Sequence, residues 1–214
     1  MRGRTSVFGA MTVAFVMIAG IAVAAGHLQP STTDVQNVLW FADESDTLGE
    51  SVLTRTDVMV LASIEGAGLE PGNAYTVWWV VFNNPTACSD GACGEDDIFV
   101  DGDPANGLNM AGVAAAEIAV GNATGNVAKA DGTAEFGARL KRNDGAASGH
   151  QILFPAGLSG DSVLTASGND AEVHIVIQRH GQARGGQQLS NQLSLVETGC
   201  TPLCADVQFA VHLP

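Results

Sequence analysis

The sequence is short of positive charge. Its 214 residues hold 9 Lys and Arg against 23 Asp and Glu, a formal net charge of −14. Nucleic acids and anionic membranes are gripped through basic patches, so neither is expected as a partner. Long apolar runs are scarce too. One covers Val7 to Val23, and no later run has the length to cross a bilayer. Catalytic signatures are missing. Gly157-Leu158-Ser159-Gly160 lacks the G-x-S-x-G spacing of a nucleophile elbow, and there is no phosphate loop and no zincin helix. Acidic pairs such as Asp96-Asp97 lie in a polar stretch with no apolar setting to raise one carboxyl for general-acid work. No repeat of fixed period and no linker divides the chain, which leaves one domain over 27–214.

Two features point outside the cytoplasm. Arg2 and Arg4 precede the apolar run, and Ala22-Val23-Ala24 supplies small residues for cleavage after Ala24, Ala25 or Gly26. Residues 1–25 therefore read as a secretion signal peptide, with a retained N-terminal anchor as the alternative. The mature protein is expected to be secreted or periplasmic and free of the membrane after cleavage. The acidic balance then suits solubility, with cation binding as the sharper reading. Four cysteines agree with export. Cys88 and Cys93 form one close pair and Cys200 and Cys204 another, each in a bendable polar loop. Three pairings are open, local closure is expected, and a cysteine metal site is the alternative.

The sequence is organised around Gly66 to Pro85. Glu70-Pro71-Gly72-Asn73 signals a turn. Ala74 to Phe82 follows without a charge. Tyr75, Val77, Trp79 and Val81 alternate with Thr76, Trp78, Val80 and Phe82, so a strand here is covered on both faces. Further strands are expected at Val35–Phe41, Asp57–Ile64, Ala171–His180 and Ala205–His212, the last with Val207, Phe209 and Val211 inward. Asp43–Thr56 and Gly181–Gln192 read as loops, and Leu108–Val120 leans to strand. Asp131-Gly132 reads as a hairpin turn. The sum is an all-β fold: a single immunoglobulin-like antiparallel β-sandwich of about eight or nine strands.

Leu69-Glu70-Pro71-Gly72, the AYTVWWVVFNNP strand, the first cysteine pair and the AEVHIVIQRHG and DVQFAVH blocks resemble a group of uncharacterised secreted bacterial β-sandwich proteins. That resemblance covers most of the chain and implies export and fold, with no activity attached. The GL-x-PG turn leading into a core strand is similar, at fold level, to chordin-like (CHRD) domains and copper/zinc superoxide dismutase. In the dismutase that strand carries metal histidines. Here Tyr75, Val77, Trp78 and Trp79 stand in the same stretch, so the resemblance implies no dismutase chemistry.

Histidine is the remaining source of chemistry. His174 and His180 are about 20 Å apart on an extended strand and cannot share an ion unless the chain folds back after Gln178. His174 and His212, on outer faces of strands that could be neighbours, are the candidate copper or zinc pair, with Glu172 or Asp206 completing the site. The alternative is two hydrogen-bonded histidines. Cleavage after Gly26 would make His27 an N-terminal copper brace. Asp101 to Gly107 has a calcium-loop look but departs from the EF-hand pattern, with Asn106 at the glycine position and Gly112 at the acidic one. Trp40, Trp78 and Trp79 could stack on sugars, though Trp78 and Trp79 suit the core better. The functional expectation is a non-enzymatic extracellular or cell-surface module, binding or structural, with an extracellular protein or glycan as partner, and with copper or zinc binding and carbohydrate binding as the alternatives.

Overall fold

The computed structural model describes residues 30–143, 152–154, 162–195 and 204–214. Nine strands carry the architecture among them: Thr32–Trp40 (β1), Thr47–Thr56 (β2), Met59–Gly66 (β3), Asn73–Phe82 (β4), Ile118–Val127 (β5), Ala134–Lys141 (β6), Ile152–Phe154 (β7), Glu172–Gln182 (β8) and Ala205–His212 (β9). Three short helices accompany them, Glu95–Ile98 (α1), Met110–Ala115 (α2) and Gln187–Gln192 (α3). Every pairing is antiparallel, in the order β6-β3-β2-β1-β9-β8-β4-β5-β7. The expected all-β antiparallel class is what is found. The sheet is one continuous strip. Its halves join at a narrow seam, where Leu39 faces Phe209 and Trp40 faces Gln208. Across the fold, Leu53, Val60 and Ile64 of one half meet Val77, Trp79, Ile175 and Ile177 of the other in a single core. No helix among the described residues is long and apolar enough to cross a membrane.

β4 is the strand the sequence marks. Pro71 and Gly72 make its entry turn: the Asn73 amide donates to the Glu70 carbonyl at 3.1 Å, and Gly72 takes φ of 77°. The Tyr75 hydroxyl accepts from the Glu70 amide at 2.9 Å, pinning the turn to the strand. All ten residues are buried, between β8 and β5. Tyr75, Val77, Trp79 and Val81 fill the main core. Trp78, Val80 and Phe82 fill a second cluster with Val113, Ala116, Ile118, Val120 and the Cys88–Cys93 disulfide. The irregular excursion after β4 is thus a cap over the outer face of the sheet.

Five local readings change. Asp43–Thr56, expected as a loop, contains β2. Its inward positions are Ser51, Leu53 and Arg55, so only one of the three carries the apolar signature of a strand. Leu108–Val120 divides into α2 and the start of β5. Asn109 caps α2 by accepting from the Gly112 amide at 3.0 Å, and a Cβ on Gly112 would lie 2.4 Å from the Asp97 carbonyl oxygen. Gly181–Gln192 holds α3, tied down by buried Gln192, whose amide donates to the carbonyls of His180 and Gln182 at 3.2 and 3.1 Å. The turn at Asp131-Gly132 forms, but β6 pairs with β3 and β5 with β4 and β7, so it links opposite halves of the fold. Finally, β9 keeps Val207 against the main core as expected but faces the other way from Gln208 onward, after a shift of register against β8. Gln208, Ala210 and His212 are buried in the fold, while Phe209 and Val211 lie on the outer face. The apolar residues misled because that outer face is itself partly covered.

A candidate groove and a buried histidine

Beside the cap, the outer face of β9, β8 and β4 stays open as a groove of about 680 Å³. Trp78, Val80, Val176, Phe209 and Val211 make an apolar floor. Ile98 and Phe99 of the cap form one wall. Phe41 forms another, its ring 4.7 Å from that of Phe209. Glu44, Glu95, Asp96 and Asp206 stand around the opening, and all four are exposed. Gln178 donates to Asp206 Oδ1 at 3.0 Å. His174 also lines the groove, its ring 4.8 Å from that of Phe82. Its Nε2 lies 2.7 Å from Oε1 of Glu172, a carboxylate only 4 % exposed.

The cap owes its shape to its disulfide and to one carboxylate. Cys88 and Cys93 are bonded to each other, the local closure expected, so their sulfurs are not metal ligands. Buried Asp97 beside them accepts from the amides of Ser89 and Gly94 at 2.9 and 3.1 Å. Cys204 is disulfide-bonded as well, and its Sγ lies 3.4 Å from His180 Nδ1. In the loop with the calcium look, Asp103 caps a helical turn through the Ala105 amide at 2.8 Å, and Asn106 donates to the Val100 carbonyl.

Directly behind the groove lies a different chemistry. His212 is 0 % exposed and sits between Asp34 and Ser51. Asp34 Oδ2 is 2.8 Å from Nδ1 and Ser51 Oγ is 2.8 Å from Nε2. A carboxylate can only accept, so Nδ1 carries the proton and Nε2 accepts from the serine hydroxyl. Burial pushes the His212 pKa down; Asp34 pulls it up but does not prevail, and the positive charge of Arg55 adds to the depression. Burial also pushes the Asp34 carboxyl up, yet the hydrogen bonds from His212 and Gln36, with the nearby positive charge, hold it below its usual range. Arg55, 2 % exposed, completes the cluster. It donates to the carbonyls of Gly168, Ala171, His212 and Leu213 and so fastens the end of β9 to β2 and the segment before β8. The order Asp-His-Ser has the contacts that activate a serine nucleophile, but Ser51 is fully buried, 0 % exposed.

The candidate metal set therefore separates. β8 and β9 are neighbours as expected, but His174 faces Val211 and His212 faces Val173, so the two histidines occupy opposite sides of the sheet. Only His174 and Glu172 come together; Asp206 stands at the groove rim. His180 is buried against the hydroxyl of Thr76 at 2.8 Å, which also accepts from the Trp78 indole. Trp78 and Trp79 are core residues, and Trp40 is half-buried beside Gly68. His27, His150 and Cys200, with the leader segment, lie outside the described residues. The sequence did not single out Phe41, Asp34 or Ser51. The alternation of β9 marks Phe209 and Val211 as a set but assigns them to the wrong face. No protein-family model matches the chain, and no curated protein or solved structure does either.

Proposed function

We propose that the protein is a secreted, non-enzymatic β-sandwich acting as an extracellular binding module, with the groove beside the cap as its binding site. The observation that carries this is the groove itself. About 680 Å³ falls within the range of small-molecule sites, and a mostly apolar lining with a few polar groups is their usual character. In the polar constellation that could do chemistry, Asp34-His212-Ser51, both the histidine and the serine are fully buried, which supports binding over catalysis. The paired cysteines and the leader-like start support export.

A neutral apolar dye tests this reading. Nile red should gain fluorescence on binding the native protein at a single site, and Val176→Arg, which places a long charged side chain on the groove floor, should abolish the gain while leaving the circular dichroism spectrum unchanged. A Nile red response that survives Val176→Arg would move the site elsewhere.

A further inference from the structure

The groove carries more information than its shape. Four carboxylates, Glu44, Glu95, Asp96 and Asp206, border it, and no Lys or Arg is among its described lining residues. None of the ion pairs among the described residues involves these four groups. Asp206 is open to water but sits in a concavity. Desolvation there raises its carboxyl pKa, the hydrogen bond from Gln178 pulls it back, and the negative charge of Glu95 raises it further. Glu95 and Asp206 are thus within electrostatic reach of each other, and neither has an ion-pair partner among the described residues. Aromatic rings stand within the same space: Phe41, Trp78, Phe99 and Phe209 all line it. Aromatic faces attract cations and apolar bodies alike, and their attraction for cations grows as water is excluded.

We propose that the ligand is a small organic cation, an amine or quaternary ammonium carried on an apolar body. This rests on the groove being the binding site. The apolar body would cover Val80, Val176 and Val211, and the cationic head would lie at the acidic rim. A free small molecule is the occupant because the site is a concave groove of limited volume, not a broad flat patch of protein–protein size. The overall charge of −14 favours the encounter, since a strongly negative protein draws cations and repels anions.

Three probes of one shape separate the contributions: 4-phenylbutylamine, 4-phenylbutan-1-ol and 4-phenylbutyrate, titrated calorimetrically into the mature protein at pH 7. The amine should bind about tenfold more tightly than the alcohol, the scale of a partly desolvated charge contact, and the carboxylate most weakly. On the unaltered protein, raising ionic strength from about 0.02 to 0.5 M should shrink the preference for the amine, because screening shortens the reach of the rim charges. Glu95→Gln with Asp206→Asn should bring the amine toward the alcohol's level. Equal binding of amine and alcohol, both lost in Val176→Arg, would overturn the cation assignment while keeping the groove as a site. A preference indifferent to salt and to the double substitution would overturn it too. Binding of none of the three would overturn the assignment, and a positive Nile red result would then still support the groove.

Discussion

His174 and His212 are close in the sheet and opposite in circumstance. His174 stands on the outer face beside a groove, against one buried glutamate. His212 stands one pleat away on the inner face, fully enclosed between Asp34 and Ser51. A shift of a single residue in facing separates a side chain that can meet a ligand from one that holds the fold together. Residue type alone does not assign a role; strand parity does, and parity is fixed by what covers each face.

The largest effect should come from removing the arginine that locks the inner cluster. Arg55→Met would leave four carbonyls without their donor and is expected to cost about 3–5 kcal/mol in urea unfolding, with several degrees lost from Tm. Next come changes at His212 itself. Asp34→Ala or His212→Phe should cost about 1–3 kcal/mol, since the first leaves the buried Nδ1–H of His212 without an acceptor and the second leaves the Ser51 hydroxyl without its imidazole partner.

The histidine also sets a pH signature. Its pKa is lowered on folding from the usual 6.5, so the unfolded chain takes up a proton that the folded chain refuses. Stability from this group is full above about pH 6.5 and falls as pH drops through the window down to the folded pKa. Asp34, also lowered on folding, adds a further loss at still lower pH. Denaturant titrations between pH 8 and pH 5 should show the first decline, and His212→Phe should flatten it. A flat profile in the unaltered protein would contradict a buried neutral His212.

Smaller effects belong to the outer face. Cys88→Ala with Cys93→Ala should cost at most about 2 kcal/mol, because the closed loop is short. It should weaken Nile red binding more than that loss of stability implies, because the cap wall is built on the bridge. The smallest stability change is expected for Phe209→Ser, about 1 kcal/mol or less since the side chain is only half-buried, yet it should lower Nile red affinity several-fold. If Phe209→Ser unfolded the protein and Arg55→Met did not, the contrast between the two faces would be reversed.

How far the sequence discloses this depends on how each face is covered. β4 is legible because a charge-free alternating run has one explanation, burial on both sides. β2 is hidden because two of its inward residues are Ser51 and Arg55, polar groups paid for by partners far away in sequence. β9 reads backwards for a related reason: its polar side meets a buried network, while Phe209 and Val211 line a groove. The cap had the cysteines as a marker, and the closure of Cys88 on Cys93 is the local pairing expected among the three that the sequence left open. The groove itself has no motif. It gathers Phe41, Trp78, Glu95, His174 and Phe209 from separate segments, and only the fold brings them together.

The seam between the two halves has a consequence for how the chain reaches its native state. β9 is the last of the described strands in sequence, yet it lies inside the sheet, hydrogen-bonded to β1 on one side and β8 on the other. Until it inserts, β1 and β8 are open edges, and among the described residues no strand pairing joins the two halves. Folding must wait for a contact between β1 and β9, which are far apart in sequence, the slow kind of closure. Before that moment the exposed edges invite pairing with other chains. The Arg55 grip on His212 and Leu213 then acts as a latch, engaged only once the final strand is in place.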